Sequence, residues 1–291
     1  MKVTVIIPAY NESAGIGDTL KELAESVSDE FEILVIDDGS SDNTYDIVQN
    51  IGYSNVRCVR HRRNRGYGAA IKTGCRNAAG EIIVWYDADG QHRPEDLLAV
   101  IEKMKTEKLD YCIGIRDRNS HCDRNRKFGK FILTKIVNIL AKEPVKDFNS
   151  GLRAFKKNIL LRYLPLLPDR FGASTITTFI MMETEHVGGT CEITVRPRVG
   201  TSTVKPIRDG IRTLSLIMNI IILFRPREVF GTVGLLSIAV GVLYGVIHAF
   251  RNGLGIPVLA AVVCIFGIQA FFFGAISSQI SQLRLERYRE E

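Results

Sequence analysis

Two carboxylates two positions apart at the end of an apolar run are the first residues whose types and spacing could do chemistry. Asp87 and Asp89 follow the apolar stretch of EIIVWYD, with Gly90 and Gln91 next. Side chains at i and i+2 of an extended segment point the same way, so these carboxylates and Gln91 could share one divalent cation. Mg2+ or Mn2+ bound by one or two carboxylates plus diphosphate oxygens is the usual arrangement of that kind. A DxD triplet alone is more often a solvated turn, and its place at a strand end is what gives it weight. Asp37-Asp38-Gly39-Ser40 ends a second apolar run and opens a helix. It reads either as a turn and N-cap or as a carboxylate accepting hydrogen bonds from a nucleobase or ribose. After the first apolar run, Pro8-Ala9-Tyr10-Asn11-Glu12 offers a Tyr face and a Glu that could hold a nucleoside.

Charge is distributed in blocks around these groups. Residues 1–56 carry eleven acids against Lys2 and Lys21, whereas 57–76 carry seven bases and no acid. A second basic stretch, 111–135, sets seven bases against Asp117 and Asp123. Acidic and basic surfaces are thus built by different stretches, as a site for a polyanion held partly through a metal requires. The composition, 46% hydrophobic and 24% charged, excludes disordered, collagen-like and disulfide-miniprotein classes.

The elements that must position these residues follow from hydrophobic periodicity. Strand-like runs at 3–8, 31–37, 55–60, 81–87 and 109–115 alternate with helical patterns at 14–27, 42–51, 67–79 and 94–106. This rhythm predicts a Rossmann-like α/β fold with a mostly parallel sheet covered on both faces. Ligands bind such sheets at the carboxyl ends of the strands, where all three acidic groups fall. Beyond lie a helical pattern at 126–141, an irregular stretch around DFNSGLRAFKK, a helix near 174–187 and a strand TCEITVRPR. One or two amphipathic helices over 207–224 read as lying in a bilayer interface.

No Asp, Glu, Lys or Arg occurs in 229–250 or 252–283, so two charge-free runs are separated by Arg251 alone. Each is long enough for a hydrocarbon core of about 30 Å and predicts a membrane span. Arg225 and Arg227 before the pair, and Arg284, Arg287 and Arg289 after it, put both ends in the cytosol. The short apolar start, stopped at Pro8, does not read as a signal peptide. Six scattered cysteines suit a reducing compartment, so the Asn11-Glu12-Ser13 sequon is a chance match. Gln269 is expected to hydrogen-bond across the hairpin, and Gly241-xxx-Gly245 to let helices approach, either within the hairpin or in a homo-oligomer. Of the histidines, His92 beside the DxD is the one worth testing.

Taken in order and spacing, VIIPAYNE, DDGSSDNT, RNRGYGAAIKTG and DADGQHRPED closely resemble family 2 glycosyltransferases of GT-A fold. Arg116 in GIR, Arg126-Lys127, NSGLRAF (149–155) and RVGTS (198–202), before two spans, resemble the polyprenyl-phosphate branch, which includes dolichyl-phosphate mannose and glucose synthases. The resemblance implies that Pro8, Tyr10, Glu12 and Asp38, with Asp87, bind the nucleotide. It implies that Asp87, Asp89 and Gln91 bind Mg2+ or Mn2+, with Asp89, Arg116 and Arg126 in catalytic roles. Arg116, Arg126 and Ser150 would meet the acceptor phosphate, and Arg198 and Ser202 the donor diphosphate. One departure is that Thr203, not Lys, follows Ser202, and the nearest Lys is Lys205.

The implied organisation is a GT-A domain over 1–205, juxtamembrane helices over 206–228, two spans (about 229–250 and 256–280) within 229–283, and a cytosolic tail over 284–291. The implied activity is inverting transfer of one hexose from a nucleotide sugar to dolichyl or polyprenyl phosphate, with no nucleic-acid partner. DADGQH, against the DADLQH-like form common in mannose synthases, favours a UDP-sugar over GDP-mannose. Two alternatives stay open: a processive polysaccharide synthase, although the QxxRW of those enzymes is missing and Trp85 is the sole Trp, and a non-catalytic lipid-phosphate binding protein.

Overall fold

The chain VTVIIPA is apolar at almost every position, which suits a strand covered on both faces rather than one with a wet side. It forms β1 (Val3–Ala9), and every residue of it is buried. The computed structural model describes residues 2–117, 147, 150–184, 186–197, 199, 206–252, 255 and 257–290. Contacts divide these into two units, 1–217 and 218–291, described in turn.

In the first unit β1 lies between β2 (Phe31–Asp37) and β4 (Ile82–Trp85), parallel to both, with β3 (Val56–Arg60) outside β2. Beyond β4 come β6 (Arg153–Lys156), β5 (Tyr111–Arg116) and β7 (Gly188–Ile193). Among the described residues the sheet order is β3-β2-β1-β4-β6-β5-β7. β6 runs antiparallel to both neighbours, whereas β5 and β7 are parallel. Helix α1 (Ile16–Ser26) buries Ile16, Leu20 and Leu23, and α4 (Pro94–Thr106) buries Leu97, Val100, Ile101 and Met104. Both join the core cluster of Val3, Val5, Ile7, Ile33 and Val35. Pro94 opens α4, with Glu95 and Asp96 in its first turn and Lys103 and Lys105 in its last, as proline geometry and the helix dipole favour. Helix α2 (Thr44–Gln49) follows β2. On the other face α3 (Tyr67–Asn77) packs on β1 and β2, so closely that a Cβ on Gly74 would fall on the Ile6 side chain. Two further helices, α5 (Lys157–Tyr163) and α6 (Ala173–Glu183), complete this unit with the start of α7 (Pro206–Phe224).

The structure departs from the periodicity reading at three places. β4 stops at Trp85, and Tyr86 bonds back to the Ile6 carbonyl before the chain leaves the sheet, so Asp87 and Asp89 sit on a loop rather than a strand end. β6 falls in the stretch without periodicity, because RAFK places an arginine within four residues where an alternating pattern expects an apolar side chain; Arg153 is nevertheless fully buried. β7 begins at Gly188, since Gly188 and Gly189 lie against the Tyr111 and Leu109 side chains where no Cβ fits.

One carboxylate ties several elements together below the sheet. Glu32 accepts hydrogen bonds from the Thr4 hydroxyl (2.6 Å), the Ala79 N–H (2.7 Å) and Arg57 (2.7 Å). Burial raises its pKa, but these bonds and the charge of Arg57 outweigh burial, and the net shift is downward. A depressed carboxylate contributes stability that is present above its unfolded pKa and lost as pH falls through its folded one. As pH falls through the carboxylate range, the detergent-solubilised protein should therefore lose more of its unfolding free energy than Glu32→Gln does. Parallel pH profiles in chemical denaturation would show that Glu32 is not held this way.

The second unit contains the end of α7 and two long helices, α8 (Pro226–Asn252) and α9 (Val258–Glu290). Each has a stretch long and apolar enough to cross a membrane. They pack through small residues: a Cβ on Gly234 would come 2.6 Å from the Gly267 carbonyl, and one on Gly241 would come 2.6 Å from the Cys264 sulfur. Gly241 therefore serves the hairpin itself. Large apolar side chains such as Leu235, Leu243 and Phe271 to Phe273 point outward. Gln269 is exposed too, between the buried Gly267 and Ala270, instead of hydrogen-bonding across the hairpin.

Candidate active site

The loops after β1 and β2 are knitted to each other before they offer anything to a ligand. Asn11, at φ +54, receives the Ser41 N–H on its side-chain oxygen, and its own N–H donates to the Ser40 hydroxyl. The Glu12 N–H donates to the Thr44 hydroxyl, and the Ser13 N–H to Asp42. Pro8 is buried in β1 opposite Ile36, while Tyr10 is 39% exposed at the sheet's carboxyl edge.

Asp38 faces inward. Its carboxylate accepts from the Arg65 N–H (2.9 Å) and the Gly66 N–H (2.6 Å), and it lies 2.6 Å from His61 Nδ1. His61 Nε2 in turn meets the Thr73 hydroxyl at 2.9 Å. Asp38 thus fixes the 61–66 loop. Gly39 (φ +72) lets the two loops touch, since a Cβ there would come 2.6 Å from the Arg63 backbone. A cavity of about 350 Å³ opens at this junction, lined by Gly39, Ser40, Arg60, His61 and Arg62.

Asp87 and Asp89 lie on the loop between β4 and α4, and neighbouring elements hold it on two sides. From α1, the Thr19 hydroxyl donates to the Gly15 carbonyl and reaches the Ala88 carbonyl at 3.2 Å. From beyond β7, the Arg196 N–H donates to the Gln91 carbonyl and the Val199 N–H to the Asp89 carbonyl. Arg196 is itself held by a forked pair with Glu22 (2.8 and 2.9 Å). Asp89 is buried and accepts the Gln91 N–H on Oδ1. Gln91 donates its side-chain amide to the Arg196 carbonyl, which leaves its Oε1 as an acceptor.

Around Asp87, Tyr67 donates its hydroxyl to Oδ1 (3.3 Å), and His92 Nε2 lies 3.5 Å from Oδ2. Burial, and then the charge of Asp87, keep the Tyr67 phenol protonated, so it remains a donor. Burial also pushes Asp87 up, but His92, through hydrogen bonding and charge, then Arg116 and Tyr67, bring its pKa below the usual range. An ionised Asp87 is what a cation would need. Among the described residues no group of three His, Cys, Asp or Glu side chains could hold a metal alone. Asp87, Asp89 and the Gln91 amide oxygen are, by type, the donors that a hard ion takes together with ligand oxygens.

Arg116 ends β5 and pairs with Asp147, with Nε 3.4 Å from Oδ2. Ser150 is buried, and its hydroxyl reaches the Leu152 carbonyl at 3.5 Å. The structure thus sets the Ser150-Gly151 segment against Asp87, with Asp89 and Gln91 on the same loop. Arg126, Arg198 and Ser202 lie outside the described residues. Sequence reasoning missed Tyr67, His61 and the approach of Gly151 to Asp87. Tyr67 stands inside the quoted RNRGYG, and the i, i+5 spacing of Asp87 and His92 around Gly90 was the one available signal for that pair.

Residues 4–164 match the family model for glycosyl transferase family 2. The chain belongs to that family. Residues 225–283 of this family 2 glycosyltransferase also match the GtrB C-terminal hairpin, which with the two apolar helices makes it a membrane protein with two spans. It is 35% identical over 179 residues to the UDP-N-acetylglucosamine–dolichyl-phosphate N-acetylglucosaminyltransferase of Methanococcus voltae, covering 54% of this chain and 70% of that one. It is 28% identical over 190 residues to the undecaprenyl-phosphate 4-deoxy-4-formamido-L-arabinose transferase of Proteus mirabilis, covering 60% and 58%. Among solved structures, glucosyl-3-phosphoglycerate synthase of Mycobacterium tuberculosis, in complex with Mn2+, UDP-glucose and phosphoglyceric acid, shares the fold. That match has a TM-score of 0.62 at 18% identity and covers 76% of this chain and 79% of that one.

Proposed function

We propose that this glycosyltransferase moves one hexose, with inversion, from a nucleotide diphosphate sugar to dolichyl or another polyprenyl phosphate, with a UDP-sugar favoured over GDP-mannose. The observation that carries this reading is a family 2 acidic centre with Arg116 close enough to act on its charge, on the same chain as a two-span hairpin. An enzyme tethered to the bilayer meets its acceptor there, and the two relatives are named for a sugar joined to dolichyl or undecaprenyl phosphate.

The chemistry follows from the groups present. A phosphate monoester has a second pKa of about 6, so the acceptor is already anionic near neutral pH and needs no base. Arg116, with Arg126 and Ser150, would hold that phosphate; guanidinium forks match phosphate better than ammonium does. Asp87, Asp89 and Gln91 would hold Mg2+ or Mn2+, which would supply charge neutralisation for the departing diphosphate. Tyr67 and His92 orient Asp87, and Arg198 and Ser202 are assigned to the donor diphosphate. Tyr10, Glu12 and the Asp38-anchored loop would enclose the nucleoside.

The test uses sealed membrane vesicles from cells making the full chain, in inverted and right-side-out form. Labelled UDP-hexoses, UDP-N-acetylhexosamines and GDP-mannose are supplied to the outer face. Label should enter a mild-acid-labile lipid from one UDP-sugar, in inverted vesicles only, which also places the catalytic unit in the cytosol. Transfer into polymer, or no lipid product from any donor, would sink the reading.

A further inference from the structure

Arg153 is a fully buried arginine to which the reading above gives no part. It opens β6, opposite Trp85 of β4 and Ile113 of β5, and its guanidinium carbon lies 5.6 Å from the Trp85 ring centre. Every one of its hydrogen bonds goes to a neutral group. Nε and Nη2 both donate to the Ser150 carbonyl, at 3.0 and 2.6 Å. Nη1 donates to the Ser174 carbonyl (2.6 Å) and the Thr178 hydroxyl (3.1 Å), both in α6. Among the described residues no carboxylate forms an ion pair with it. Burial pushes its pKa down to about 10, against the opposing charges of Asp147 and Asp87, so it remains a cation at neutral pH.

A buried cation without a contacting anion is costly, and an apolar side chain would fill β6 at less cost. What the guanidinium supplies is a fixed fork. It clamps the Ser150 carbonyl from one side and ties it to α6 on the other. The residue after Ser150 is the one that touches the acidic centre: a Cβ on Gly151 would come 2.7 Å from Asp87 Cγ and 3.0 Å from His92 Nε2. The Gly114 N–H bonds the next carbonyl, that of Leu152, at 2.9 Å, so the segment is held from both ends.

We propose that Arg153 is a positioning residue, whose forked grip on the Ser150 carbonyl and on α6 sets the Ser150-Gly151 backbone against Asp87 and so fixes the carboxylate for its cation. The proposal rests on the reading that Asp87 is a cation ligand. Its effect reaches Asp87 through backbone packing and through the field of a nearby unneutralised charge.

The test measures Mn2+ affinity of the full chain in detergent, from the electron paramagnetic resonance signal of free Mn2+ in the presence of UDP, alongside turnover and the thermal midpoint. Asp87→Asn is the reference. If it binds Mn2+ as the wild type does, the cation reading itself fails. With Asp87→Asn impaired, Arg153→Lys, which keeps the charge and loses the fork, should lower Mn2+ affinity about tenfold. It should lower kcat by more than it raises the donor KM, in a protein that still unfolds cooperatively. Wild-type Mn2+ affinity and turnover in folded Arg153→Lys would overturn the proposal. Should that variant not fold, Thr178→Val decides, because it removes one anchor of the guanidinium at nearly constant volume. A loss of at least threefold in Mn2+ affinity supports the positioning role, and wild-type affinity overturns it.

Discussion

Asp89→Asn is expected to lower sugar transfer by about a hundred- to a thousandfold while leaving the protein folded. Asp89 is 4% exposed, and its Oδ1 accepts the Gln91 N–H, a bond that an Asn oxygen of the same reach can keep. The loop's other anchors are the Thr19 hydroxyl, the Val199 N–H and the Arg196 N–H. They bond main-chain carbonyls and do not depend on the carboxylate. What the substitution removes is one negative charge beside the proposed cation. The loss should therefore appear in turnover and Mn2+ affinity, with the thermal midpoint nearly unchanged. Treatment with EDTA should give the same loss in the wild type and be reversed by added Mg2+ or Mn2+. Full activity in EDTA, or Asp89→Asn within threefold of the wild type, would remove the cation from the mechanism.

That the acidic centre could be read from sequence, while its surroundings could not, has a physical reason. Runs such as VTVIIPA and FEILVID declare their strands because a parallel sheet covered on both faces tolerates few polar positions. Residues following those strands at the carboxyl edge are then candidates by topology alone, which singles out Tyr10, Glu12, Asp38, Asp87 and Asp89. Direction is another matter. Asp38 and Asp87 look alike as residues after an apolar run, yet Asp38 turns inward onto the Arg65 and Gly66 N–H groups while Asp87 keeps 30% of its side chain exposed. The difference lies in where the 61–66 loop returns, a contact spanning more than twenty residues that no local pattern encodes.

β6 was illegible for a related reason. Four residues led by an arginine carry no alternation, and its pairing with β4 and β5 is settled by chain segments about seventy and forty positions away. The arginine that hid the strand from a periodicity argument is the one that anchors it. By contrast the hairpin was plain from composition, because a bilayer demands long uncharged stretches whatever the packing. Only the outward placement of Gln269 needed three dimensions.

Gly151→Ala should cost about a hundredfold in transfer, the scale on which a misplacement of roughly 1 Å acts on a reacting group. The backbone at Gly151 is not in the left-handed region, so alanine suits its conformation and the effect is one of space. The added methyl would fall on Asp87 Oδ2, with His92 Nε2 3.0 Å away. Either the carboxylate rotates off Tyr67 and His92, or the Ser150-Gly151 backbone retreats against the Arg153 fork. Overpacking of this kind costs about 1–3 kcal/mol, which lowers the thermal midpoint without unfolding the protein. Gly231→Ala supplies the control: nothing lies within 4 Å of its Cβ position, and transfer should stay within twofold. Mn2+ affinity separates the two responses of the site. If Asp87 and Ser150 have the proposed roles, a rotated Asp87 should weaken Mn2+ binding together with turnover, whereas a retreating backbone should displace Ser150 and raise the apparent KM for polyprenyl phosphate first. Wild-type turnover in a folded Gly151→Ala protein would mean that the close approach of this backbone to Asp87 plays no part in the reaction.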